Sequence, residues 1–251
     1  MDERERIIEA GRNADLSDYE IVYALACYED FDFTVDEVLE MIENGYITTS
    51  SWNSHYIENN QWNVEAFVYD DYDEAYAAAK EDCENLIDEI GFEGINVDLA
   101  EFADEDWFKD ALVESFRFYC EDIASESDDT YGNRLVEECY SRGLIDDSDF
   151  ATDEDGEPKY DECLVDEDDL VERYVDWYEE DNYDWVQLYL DELGSENFDY
   201  AVKNNPSIID IDALCEYIVD NDGVANSLAG YDGNEWEVEY DGTTYYVYRN
   251  N

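Results

Sequence analysis

Basic residues are nearly missing from this chain: 12 Lys+Arg stand against 73 Asp+Glu in 251 residues, a formal net charge of −61. Only Lys80, Lys109, Lys159 and Lys203 are lysines. Nucleic acid and anionic lipid are thereby excluded as partners, because both are polyanions and no basic patch is present to receive them. Histidine occurs once, at His55, so no two-histidine metal face can be built, and no serine or cysteine motif accompanies it. A phosphate-binding loop, a GxGxxG turn and a nucleophile elbow are all missing. Six cysteines lie far apart with no CxxC pair; five fall in expected helices, which favours buried thiols over a disulfide framework or a zinc site. No run approaches the ~18 apolar residues of a membrane span, and the first twenty residues hold no apolar signal core. A soluble chain of the cytoplasm is expected.

What is present argues for a folded protein. High charge with low hydrophobicity would mean disorder, but hydrophobic residues make up 45% and aromatics 16%, with 23 Tyr, 10 Phe and 6 Trp. The periodicities predict an α+β fold, helix-dominated, with small antiparallel sheet elements and a C-terminal β-hairpin. Residues 1–28 read as one or two helices with Ile21, Val22, Leu25 and Tyr28 inward. Thr34 and Glu37 form a capping-box pattern before a helix that closes at Asn44-Gly45. Residues 46–50 and 62–69 read as strands joined by a polar loop holding His55. Helices are expected over 73–90, within 97–124 (one short, one long), and over 133–142, 183–193, 210–220 and 223–230. Glu235–Tyr240 alternates apolar and acidic residues before Asp241-Gly242, a favoured two-residue turn, and 243–248 returns. Residues 146–162 are acidic around Gly156-Glu157-Pro158 and read as a linker, dividing an N-terminal α/β domain (1–145) from an acidic helical domain (163–251).

The stretch from Asp161 to Asn197 is the most unusual. Val171, Tyr174, Val175 and Tyr178 recur as the apolar stripe of a core-facing helix. Asp169, Glu172, Asp176 and Glu179 repeat with the same period on another side. Like charges three or four residues apart cost a helix a few tenths of a kcal/mol per pair, so a fold that keeps such repulsion is expected to use it. Asp166, Asp169, Glu172, Asp176, Glu179, Glu180, Asp184, Asp191 and Glu192 are the candidate partner-binding residues.

Two kinds of site chemistry compete with that reading. Any two of so many carboxylates could neighbour each other as a catalytic acid–base pair, and nothing singles out a protected one. Taken with Ala151 as position 1, the stretch 151–162 puts Asp153, Asp155, Gly156 and Glu162 at calcium-loop positions. Alanine, however, stands where the first ligand belongs. No catalytic residue, metal ligand or cofactor is assigned.

The charge itself has a natural counterpart. Duplex DNA carries one charge per ~1.7 Å of axis, so this chain matches roughly 30 base pairs. A compact chain of this length has a radius of gyration near 18 Å, which makes its charge density DNA-like or higher; an elongated shape or a homodimer would relieve the repulsion. Carboxylates ~5–6 Å apart along a helix can stand where a DNA-binding groove expects phosphates. In size, acidity, aromatic-rich helices and near-absence of bases, the chain resembles the phage and plasmid DNA-mimic proteins, including ArdA-type antirestriction proteins and acidic anti-CRISPR proteins. The resemblance is of character and includes no diagnostic motif. It implies an inhibitor, not an enzyme, that occupies the basic DNA-binding groove of a host restriction–modification or CRISPR protein. An acidic binder or chaperone of a nucleoid-type basic protein, a halophilic protein and a calcium-binding protein are the alternatives.

Overall fold

Helix after helix begins on an acid or a hydroxyl and stops at a glycine or a polar residue. The computed structural model describes residues 2–92 and 95–251. Within them the chain runs through α1 (Glu3–Asn13), α2 (Asp18–Glu29), α3 (Val35–Glu43), β1 (Ile47–Thr49), β2 (Tyr56–Asn59), β3 (Val64–Tyr69) and α4 (Tyr72–Ile90). It continues through α5 (Glu105–Ala124), α6 (Arg134–Ser141), β4 (Phe150–Thr152), β5 (Pro158–Cys163), α7 (Glu167–Asp181), α8 (Trp185–Leu193) and α9 (Ser195–Asn204). The last elements are α10 (Ile211–Asp222), α11 (Val224–Leu228), β6 (Glu235–Tyr240) and β7 (Thr243–Arg249). This is a helix-dominated α+β protein ending in a β-hairpin. Capping boxes open α1 (Asp2, Glu5), α2 (Ser17, Glu20) and α3 (Thr34, Glu37). Asp71, Asp104, Asp166 and Asp184 cap later helices, so part of the acidity sits where helix dipoles welcome it.

The chain divides by its contacts into two units, the first made of residues up to Gly91 with Ile211–Asn251, the second of Phe92–Asp210. Residues 146–162, expected to be a linker, lie inside the second unit. They form a 3-10 turn and the β4–β5 hairpin, whose turn Asp153 closes by accepting from the Asp155 and Glu157 amides at 2.9 and 3.0 Å. A strand pair thus stands where a calcium loop would need flanking helices.

In the first unit an antiparallel sheet of order β1-β2-β3-β7-β6 is covered on both faces. Strand alternation sends Ile57, Val64, Ala66, Val68, Val247 and Val238 to one face, where they pack with α1–α3. Phe67, Tyr69, Tyr246 and Tyr248 point the other way, onto Ala75 and Ala79 of α4, Val219 of α10 and Leu228 of α11. β2 was not expected: its four residues YIEN lie in a polar stretch, and only pairing with β1 and β3 reveals them. In α2 all seven residues Ile21–Cys27 are buried, not one face alone, because α1 and α3 flank it and the sheet lies beneath. Asp241 and Gly242 both take positive φ (50° and 84°), as the tight hairpin turn requires.

His55 sits, as expected, in the turn between β1 and β2, but its side chain is half-buried against β3. Its ring stacks on Tyr69 at 4.6 Å, its Nδ1 lies 3.0 Å from the Val68 carbonyl, and its Nε2 is 3.6 Å from Glu74.

In the second unit α5 packs against α6, α7 and α8. Cys120, Leu135, Cys139, Phe150, Val171, Tyr174 and Val175 form one cluster. At the other end, Phe108 stacks on Phe198 at 5.2 Å and meets Tyr189 edge-on. Where the chain enters and leaves this unit, Ala103 bridges Ile209, with the Asp104 amide donating to Ile208 and the Asp210 amide to Phe102. Among the described residues no helix is long and apolar enough to cross a membrane.

Asp30, at the end of α2, is a local cost of so much acidity. Burial, and then the charge of Glu29, push its carboxyl up to about 6, with Arg4 acting the other way. A carboxyl raised on folding adds stability only below its unfolded value and loses it as pH rises through its folded one. Asp30→Asn should therefore stabilise the fold at pH 8 by ~1 kcal/mol, after discounting for partial exposure. The gain should vanish near pH 4; an equal gain at both pH values in urea denaturation would contradict this.

Candidate functional site

The ladder helix α7 buries Leu170, Val171, Tyr174, Val175 and Tyr178 and turns its acids outward. The nine candidate carboxylates nevertheless fall into different states. Asp169, Asp176 and Glu180 are exposed and carry no ion pair or side-chain hydrogen bond within the described residues. At 3.6 residues per turn they share one line, the later two within about 20° of Asp169, with axial steps of about 10 and 6 Å. Asp166 and Asp184 cap α7 and α8, accepting from the Asp168 and Gln187 amides at 3.1 and 3.0 Å. Asp191 accepts from the Gln187 side chain at 2.8 Å, and Glu192 from the Tyr178 hydroxyl at 3.3 Å. These four keep their charge while being held.

Glu172 and Glu179 differ. Both guanidinium nitrogens of Arg117, on α5, donate to Glu172 at 2.6 and 3.3 Å, which lowers the carboxyl's proton affinity. Lys109, also on α5, lies 2.8 Å from Glu179. Two of the four ladder residues are therefore locally neutralised, and they fasten α7 to α5. Arg173 falls on the same outward line as Asp169 and Asp176, but its guanidinium donates to the Leu144 carbonyl at 3.1 Å.

Across both units the few bases are almost all engaged. Nine of the twelve form ion pairs: Arg4, Arg6, Arg12, Lys80, Lys109, Arg117, Arg134, Arg142 and Lys159. Arg249 is stacked over Tyr231 at 3.8 Å and Phe31 at 5.1 Å. Among the described residues more than fifty carboxylates lie outside these pairs, and a number of them accept from neutral donors.

Tyrosine supplies many of those donors. In the first unit Tyr19 donates to Asp70 (3.0 Å), Tyr28 to Glu3 (2.5 Å), Tyr76 to Asp220 (2.8 Å), Tyr248 to Glu235 (2.6 Å), and Tyr56 to Glu65. In the second, Tyr140 and Tyr160 share Asp147 (2.8 and 3.2 Å) and Tyr178 reaches Glu192, while Tyr174 reaches Glu138 (3.4 Å), a carboxylate that Arg142 already pairs. A lysine in each place would fix the carboxylate and cancel it; a phenol fixes it and leaves the charge. Burial and then the Asp70 hydrogen bond push the Tyr19 hydroxyl up to about 12, and burial with Asp220 does the same for Tyr76. The stability these protonated phenols add is complete below pH 10 and is lost as pH rises through about 12. Sequence reasoning missed these pairs; the abundance of tyrosine was visible, but most of its partners are remote in the chain.

A groove of about 530 Å³ between α1 and the β6–β7 turn holds Arg4 and Arg12, and both are already paired, with Glu29 and Asp241. Among the described residues no cluster of three or more His, Cys, Asp or Glu is arranged to hold a metal ion. The six thiols are free, five of them buried and Cys163 partly so.

The charge is shared between the units, with 34 acids and five bases in the first and 39 acids and seven bases in the second. The stretch 161–197 is thus one acidic face among several. Comparison with protein-family models, with curated proteins and with solved structures finds no match in any of the three.

Proposed function

We propose that this chain is a DNA-mimic inhibitor: it occupies the basic DNA-binding groove of a host defence enzyme of the restriction–modification or CRISPR type. The observation that carries the reading is a set of outward carboxylates fixed by neutral donors (helix amides, Gln187, eight tyrosine hydroxyls), while the few bases are spent in local pairs. Rigid anions that keep their charge are what a groove built for phosphates recognises. Diffuse acidity for solubility alone would not need so many of its carboxylates held. On this reading the protein binds no nucleic acid, performs no catalysis, and acts in the cytoplasm where its target works.

The exposed line Asp169, Asp176 and Glu180, with Asp166, Asp184, Asp191 and Glu192 beside it in sequence, is the first contact face to test. Glu172 and Glu179 serve in this account mainly to seat α7 on α5. The deciding experiment is competition. At low salt the protein should displace a DNA duplex from its target enzyme, with DNA and protein binding mutually exclusive. Failure to displace DNA from any of a panel of restriction and CRISPR enzymes would sink the proposal. An acidic chaperone of basic nucleoid proteins is separated by the same panel, since it would bind free basic proteins without competing for an enzyme's DNA site.

A further inference from the structure

One stretch of this polyanion carries almost no charge. From Asn44 to Val64 the only formal charge is Glu58, although 34% of the whole chain is charged. The stretch builds β1 and β2, one edge of the sheet in the first unit, and the loops on either side of them. Its exposed side chains include Thr48, Thr49, Ser51, Ser54, Asn60 and Gln61, all neutral. Trp52 stands among them 67% exposed, leaning on Tyr56 with ring centres 4.9 Å apart. Tyr46 and Trp62, 5.7 Å apart, join the two ends of the stretch. The opposite edge strand, β6, is guarded in the usual way by Glu235, Glu237 and Glu239. At β1 the outward Thr49 amide is already taken by Glu20 at 3.1 Å, so contact here is through side chains and not through strand addition.

We infer that this neutral edge is where two copies of the chain meet. Molecules carrying −61 each repel within a Debye length, ~10 Å at 0.1 M salt, and contact costs least where each surface carries the fewest charges, here Glu58 and the Glu20 carboxylate held by the Thr49 amide and hydroxyl. A basic partner gains nothing from this face and is drawn to the carboxylates elsewhere. For another polyanion it is the face of least repulsion, and the polyanion always present at equal concentration is a second copy. A two-fold contact lets the patch meet itself, with Trp52 as the anchor on both sides. The exposed residues are fewer than the 20–30 per side of a standard interface, so the dimer is weak and reversible. It forms without using the acidic faces, which stay open to an enzyme.

Salt separates this contact from DNA mimicry, because screening strengthens contact between like charges and weakens contact between opposite ones. Sedimentation equilibrium of the full chain should show a dimer whose dissociation constant tightens at least ~10-fold between about 20 and 500 mM salt. Trp52→Glu and, separately, Ser51→Glu at an exposed neighbouring position should each abolish it with the circular-dichroism spectrum unchanged. Ser127→Glu adds the same charge in the second unit and should leave it intact. A monomer at every salt and protein concentration would overturn the inference. So would a dimer that weakens with salt, one that survives both patch variants, or one lost equally to Ser127→Glu.

Discussion

The triple variant Asp169→Lys, Asp176→Lys and Glu180→Lys should bind a DNA-site target on the order of 100-fold more weakly at low salt, its fold intact. The three carboxylates lie on one exposed line of α7 and make no contact that holds the helix in place. Each reversal removes an attraction and adds a repulsion against a basic groove, ~1 kcal/mol apiece for an exposed pair, and ~3 kcal/mol is about 100-fold. Reversing Glu172 or Glu179 instead would set a lysine against Arg117 or Lys109 and confuse folding with binding. Arg173→Gln supplies the opposite sign: removing the one base on that line should tighten binding by about threefold. Unchanged affinity in the triple variant, measured by DNA displacement, would clear this face and move the search to the acids of the first unit.

Phe108→Ala should cost the second unit ~3–5 kcal/mol, the largest stability loss expected from a single change there. Phe108 is fully buried, stacked on Phe198 and edge-on to Tyr189 and Trp107. It joins α5 to α8 and α9. Self-repulsion destabilises any compact polyanion, and among the described residues only α1 and α9 of the α-helices place a base in the last turn to answer the dipole. Aromatic burial is what offsets both. Urea denaturation should show a lower midpoint for Phe108→Ala, with the deficit growing as salt is withdrawn. A loss under ~1 kcal/mol would mean that something other than this cluster holds the helices.

Much of this fold was legible because its signals are local. Thr34 and Glu37 opened α3, Gly91 closed α4, and Asp241-Gly242 turned the last hairpin as their chemistry requires. What escaped depends on remote partners. β2 is four residues whose strand character comes from β1 and β3; α9 opens on Gly194 with no side-chain cap to announce it; and β4–β5 hid behind an acidic turn that reads as a linker. The grouping of Ile211–Asn251 with the first ninety residues follows from β7 pairing with β3, which no local pattern announces. The site divided in the same way. Outward projection of Asp169 and Asp176 followed from helical period alone. That Glu172 is claimed by an arginine 55 residues away, and Asp220 by a tyrosine 144 residues away, did not.

The most direct test of the central claim is the salt dependence of binding to an enzyme from which the protein displaces DNA. If its fixed carboxylates replace phosphates, the logarithm of the affinity should fall steeply and linearly with the logarithm of salt. The slope should be several units, approaching that of DNA on the same enzyme, since both polyanions satisfy the same cationic groove. An affinity indifferent to salt would contradict the account, because binding would then rest on apolar contact and the charge would have no part in it.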